Sequence, residues 1–155
     1  MHPFPHRYRT VAEAHPTGEV AIASPGLVSL ATAPPREFGG PGDRWSPETL
    51  LVAAVADRLV LTFRGVARAA RYDWTALECA VEGLLERPAN DSRFTAFTIR
   101  ARLEVPAGAD PRLGEQLLAK AERGCLISNS LSGAKALEAA VVVSACVPAR
   151  AEALV

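Results

Sequence analysis

The chain has 155 residues and a mass of 16.4 kDa, which is the size of one domain and too little for two independent cores. Apolar residues at 49% and charged residues at 22% exclude a disordered chain. The 17 basic side chains balance the 17 acidic ones, which argues against a nucleic-acid or anionic-membrane binder and leaves self-association unopposed by charge.

The opening Met1-His2-Pro3-Phe4-Pro5-His6-Arg7 lacks the apolar stretch of a signal peptide. The longest apolar run, Leu50 to Ala56, falls far short of the roughly 18 residues that a membrane span needs. The expectation is a cytoplasmic protein with one domain over residues 1–155. His2 and His6 are four apart, but Pro3 and Pro5 disfavour the helix that would align them, so they and His15 read as a solvated terminus.

Three short strands are expected at Arg7–Ala14, Glu19–Ser24 and Leu27–Ala33, separated by the turn signals Pro16-Thr17-Gly18 and Pro25-Gly26. They suit an antiparallel meander. The loop Pro34 to Asp43 is too rich in Pro and Gly for a regular element. It ends in Ser46-Pro47-Glu48, where Ser46 can cap a free N–H, Pro47 suits the first helical position and Glu48 meets the positive end of the helix dipole. A helix should run from there to about Ala70. Leu50, Leu51, Ala54, Val55, Leu59, Thr62 and Phe63 form one face, yet Val52, Ala53, Ala56, Val60 and Leu61 populate the others. A helix apolar nearly all round is buried nearly all round, and packing against a second subunit is one way to achieve that.

Two further strands, Trp74–Arg87 and Arg93–Val105, should form a long hairpin through Pro88-Ala89-Asn90-Asp91. Asp110-Pro111 opens a second helix carrying Leu113, Leu117, Leu118 and Ala121, which Gly124 interrupts. Cys125 to Leu131 reads as a short helical piece, and Leu137 to Val147 as a final buried strand. The order gives an α+β fold.

Generic catalytic motifs are scarce. Gly39-Gly40-Pro41-Gly42 precedes no Lys-Ser/Thr and follows no strand in the manner of a phosphate loop. Cys79, Cys125 and Cys146 are too few and too irregularly placed for a disulfide framework or a zinc site, so no metal or cofactor is expected. Cys125 follows Gly124 at the start of a helical piece, where free N–H groups favour a thiolate; the alternative is a small buried hydrophobe. Cys79 and Cys146 lie within strands, where packing is the expected role. Arg58 is anomalous. At about 100° per residue it falls near Leu51, Val55 and Thr62, on the face expected to be deepest. A charge there needs a partner or water. It either reaches the edge or closes an ion pair, or it offers a donor fork to an anion.

Four segments together resemble the OsmC/Ohr family of bacterial thiol-dependent hydroperoxide reductases. They are Glu37-Phe38-Gly39-Gly40-Pro41-Gly42, Trp45-Ser46-Pro47-Glu48-Thr49-Leu50-Leu51, Ala53-Ala54-Val55-Ala56, and Cys125-Leu126-Ile127-Ser128-Asn129-Ser130-Leu131. The resemblance runs from about Arg7 to Pro148 in the same element order. It implies an OsmC-like α+β fold with antiparallel sheets and two main helices, assembled as an intertwined homodimer. It also implies a peroxidatic cysteine in the first helix, a resolving cysteine beginning the second, and a helix-start glutamate and an N-terminal arginine that tune the first thiolate. Position by position, the resolving cysteine matches Cys125 and the glutamate matches Glu48. The peroxidatic cysteine falls on Arg58, and the N-terminal arginine falls near Thr17.

Cys125, Arg58 and Glu48 are therefore the candidate site, with the usual two-cysteine peroxidase chemistry expected to be lost. One expectation is lone-thiol chemistry at Cys125, Arg58 supplying positive charge and a hydroperoxide as substrate. A second is a non-catalytic binder of an amphipathic anion at the dimer-interface pocket. A third is a structural dimer only.

Overall fold

The order of elements expected from the sequence is the order found in a computed structural model that describes residues 3–144. The chain divides into two compact units, residues 1–51 and 52–155, with the boundary inside the early turns of the long helix.

In the N-terminal unit, β1 (Val11–Ala14), β2 (Val20–Ala23) and β3 (Leu30–Thr32) form the antiparallel meander, with Val11 opposite Ala23 and Val20 opposite Thr32. Gly18 and Gly26 supply the left-handed φ values, +98° and +76°, that the two turns require. The strands are shorter than expected. The Leu27 amide donates to the Ser24 carbonyl at 3.0 Å to close a turn, so β3 starts three residues later. Next to the meander, the Ala33 amide donates to the Trp45 carbonyl at 3.1 Å and Arg44 Nε meets Glu19 Oε1 at 2.6 Å, tying the loop back to the sheet. Gly40 is obligatory in that loop, since a Cβ would fall 1.6 Å from the Pro34 carbonyl oxygen.

The helix α1 (Pro47–Ala70) begins as its Ser-Pro-Glu start foretells. Ser46 Oγ accepts from the Thr49 amide at 3.2 Å, and Thr49 Oγ1 accepts from the Ser46 amide at 2.8 Å. This is a reciprocal capping box with Thr where Glu or Gln is usual.

In the C-terminal unit, α1 buries Val55, Leu59, Phe63 and Ala67 completely, a stripe spaced every four residues. That corrects the expected placing of Arg58 on the deepest face: Arg58, with Leu51 and Thr62, is only half-buried. A helix with so many apolar residues offers no contrast from which a helical wheel can choose the innermost stripe. β4 (Ala76–Glu86) and β5 (Arg93–Val105) form the long antiparallel hairpin, and β6 (Ala134–Val143) joins β5 in parallel. The second sheet is thus mixed, in the order β4-β5-β6. A parallel pairing demands a crossover, which α2 (Pro111–Arg123) and α3 (Leu126–Asn129) supply. Asp110 caps α2 by accepting from the Arg112 amide at 2.9 Å.

Along β5, Phe97, Ile99, Ala101, Leu103 and Val105 point into the core with the α1 stripe, Leu117, Leu118 and Ala121. On the opposite parity, Arg100 lies between Glu82 at 3.5 Å and Glu138 at 3.0 Å, in exposed pairs that add little stability. β6 was expected to be buried but is an edge strand, with Val142 38% and Val143 44% exposed; a run of Ala and Val does not distinguish a central strand from an edge. Its expected end at Val147, with Cys146, lies outside the described residues, as does His2. Among the described residues, no helix is long and apolar enough to cross a membrane.

Candidate functional site

Cys125 occupies the N-cap position of α3 with φ −72° and ψ 105°, and is 1% exposed. Its backbone is fixed on both sides. The amide donates to the Glu122 carbonyl at 3.0 Å, while the carbonyl accepts from the Asn129 amide at 3.0 Å and from Ser128 Oγ at 3.2 Å. The thiol makes no capping hydrogen bond, and α3 has only four residues, shorter than the piece expected to reach Leu131.

The preceding residue, Gly124, abuts α1: a Cβ there would lie 3.8 Å from Thr62 Cγ2. Thr62 Oγ1 in turn donates to the Arg58 carbonyl, one turn back, at 2.8 Å. Thr62 is therefore a point of α1 on which the α2–α3 corner rests, with Arg58 one turn back along the helix. Arg58 Nε is buried and has no hydrogen-bond partner among the described residues, and no carboxylate there comes within ion-pair distance of its guanidinium. In the N-terminal unit, Glu48 stands in the first turn of α1 and its Oε2 is likewise buried without a partner. Thr17 lies exposed in the bend between β1 and β2, and His6 and His15 are exposed.

Cys79 was expected to pack in its strand, away from any site. It packs against the core from there, and its thiol is pushed up from 9.0 to about 11, first by burial and then by the charge of Cys125. The signal was available in the sequence. Leu77, Cys79 and Val81 alternate with Glu78, Ala80 and Glu82, which puts Cys79 on the inward parity of β4, facing the core. Both thiols are free.

The model of OsmC-like proteins matches residues 40–139. The chain belongs to the OsmC-like family. An OsmC-like protein of unknown function from Vibrio cholerae superposes with a TM-score of 0.81 at 15% identity, covering 88% of this chain and 100% of that one. An organic hydroperoxide resistance protein OsmC from Legionella pneumophila is 26% identical, with a TM-score of 0.71 over 90% of this chain and 98% of that one. A second Vibrio cholerae structure, of an organic hydroperoxide resistance protein with captopril bound in one of its active sites, shows 21% identity and a TM-score of 0.67, covering 90% of this chain and 93% of that one. No curated protein matches the chain. The α+β OsmC-like fold that the four segments imply is the fold of this OsmC-like chain.

Proposed function

We propose that this OsmC-like chain is a cytoplasmic thiol protein of the hydroperoxide-stress family, in which Cys125 reacts with the peroxide and Arg58 replaces the helix nucleophile. A guanidinium has no electron pair to give a peroxide oxygen, so the family's usual pairing of a helix cysteine with Cys125 is lost. What Arg58 supplies is positive charge and hydrogen-bond donors. The single observation that carries this reading is its buried, unpartnered Nε, one helical turn from Thr62 and so from the Cys125 corner. Such a donor favours an anion beside it, which is the role this reading gives to the sulfur of Cys125. The thiolate attacks the outer peroxide oxygen, the alcohol leaves, and the sulfenic acid condenses with a small thiol to release water.

Glu48 supports a homodimer. Ten residues of helix rise about 15 Å, too far for Glu48 to bridge to Arg58 along one α1. Glu48 Oε2 is a second buried atom without a partner, and a donor from the partner subunit would satisfy it.

The test is hydroperoxide consumption driven by a small thiol. Activity should vanish in Cys125→Ser and fall at least tenfold in Arg58→Ala; unchanged activity in Cys125→Ser contradicts the reading. The same orphaned Nε also favours a second reading, a non-catalytic pocket for an amphipathic anion such as a fatty acid. In that case Cys125→Ser leaves fatty-acid affinity unchanged and Arg58→Ala abolishes it. Neither turnover nor binding would leave a structural dimer only.

A further inference from the structure

We propose that the segment from Cys125 to Leu131 is a lid that keeps the Cys125 thiol covered and swings out as a unit about Gly124 to admit a reactant. Its purpose rests on the reading of Cys125 as the reactive thiol, but the motion itself is measured without peroxide.

Cys125 is 1% exposed, and no reagent attacks a sulfur that it cannot touch. Some part of the fold must therefore move before any chemistry starts. Hydrogen bonding shows which part moves at least cost. Among the described residues, the bonds that this segment makes all close within residues 122–131. The Cys125 amide donates to the Glu122 carbonyl at 3.0 Å, the Ser130 amide to the Ile127 carbonyl at 3.0 Å and the Leu131 amide to the Ser128 carbonyl at 3.1 Å. Side chains follow the same rule: Ser128 Oγ donates to the Cys125 carbonyl, and Ser130 Oγ to the Leu126 carbonyl at 2.8 Å. None of these bonds runs to α1 or to the sheet, so the segment can leave without breaking the frame of either.

Its own hold is weak. α3 is four residues long, far below the length at which a helix sustains itself. Its N-cap is a cysteine whose thiol satisfies none of the free amides of the first turn. Of its large apolar side chains, Leu126 is 52% exposed, while Ile127 and Leu131 are only partly buried against the core.

The two ends of the segment differ. Gly133 is pressed onto β5, where a Cβ would fall 2.9 Å from the Phe97 ring and 3.1 Å from the Phe94 carbonyl oxygen, and it anchors the far end. Gly124 is exposed, and a Cβ there would meet nothing closer than 3.4 Å, so the near end is free to turn. One side-chain bond spans that hinge. Asn129 Nδ2 donates to the carbonyl of Arg123, the last residue of α2, at 2.9 Å. The exposed Asn129 is the latch.

The experiment follows modification of Cys125 by N-ethylmaleimide in the full chain, using peptide mass spectrometry across a urea series that stops short of unfolding. Local opening exposes little surface, so the rate should stay nearly flat in urea and exceed by about tenfold or more what global unfolding allows. In Asn129→Ala the rate should rise about threefold. Tyr72→Phe loses the bond from Tyr72 Oη to the Asp110 carbonyl at the other end of α2, so its unfolding midpoint should fall while the Cys125 rate stays unchanged. A rate that climbs with urea as unfolding does, that follows the midpoint in Tyr72→Phe, that ignores Asn129→Ala, or that equals the rate in the unfolded chain overturns the lid. Cumene hydroperoxide given to the same proteins separates the two readings. Oxidation of Cys125 that quickens in Asn129→Ala supports both. A Cys125 that N-ethylmaleimide reaches and the peroxide leaves reduced overturns the reactive thiol while the lid stands.

Discussion

β1 and β5 are both strands with antiparallel neighbours, yet they stand at opposite ends of the burial range. Every second residue of β5 from Phe97 to Val105 is buried, whereas all four residues of β1 are exposed. The C-terminal unit carries its own core, built by one stripe of α1, one parity of β5 and one face of α2. The N-terminal meander has strands of three or four residues and exposes Val11, Leu27 and Val28. Sheets so short are marginal in water unless something covers an apolar face. The C-terminal unit therefore holds together by its own packing, while the short strands of the meander bury little apolar surface of their own.

This contrast can be broken or sharpened by substitution. Phe63→Ala empties the centre of the C-terminal core and should cost about 3–5 kcal/mol in denaturant unfolding. Gly40→Ala drives a methyl group into the Pro34 carbonyl and should cost about 1–3 kcal/mol. A Gly40→Ala loss as large as that of Phe63→Ala would erase the distinction between the units. Alkaline pH tests the core from a different side. The folded-state pKa of Cys79 is raised, so the unfolded chain loses that proton first. The stability this thiol contributes is full below pH 9.0 and is lost as pH rises through about 11. Thermal melts of wild type should therefore decline over that window more steeply than those of Cys79→Ala. The smallest effect belongs to the meander. Val28→Ser, at a residue 94% exposed, should change stability by less than about 0.5 kcal/mol at low protein concentration. A larger loss that grows with concentration would mark this face as the covered one.

The fold was legible wherever local chemistry and periodicity agreed. Ser46-Pro47-Glu48 fixed the start of α1, Asp110-Pro111 that of α2, and alternation set both ends of β5 at Arg93 and Val105. The parallel placing of β6 was not legible, because pairing direction depends on where the α2–α3 crossover returns the chain and no local residue encodes that. For the site, Cys125 and Arg58 could be singled out, one beside a helix break and the other a charge among apolar neighbours. Cys79 was legible as a packed strand residue, because the alternation of Leu77, Cys79 and Val81 with Glu78, Ala80 and Glu82 sets the inward parity of β4.

The central claim is that Arg58 serves a reactive Cys125 rather than a vanished nucleophile. The most direct test is the rate at which Cys125 is oxidised by an organic hydroperoxide in wild type and in Arg58→Met, which keeps the bulk of the side chain and removes its charge. The account predicts oxidation in wild type and a rate at least tenfold slower in the variant. Equal rates would contradict it.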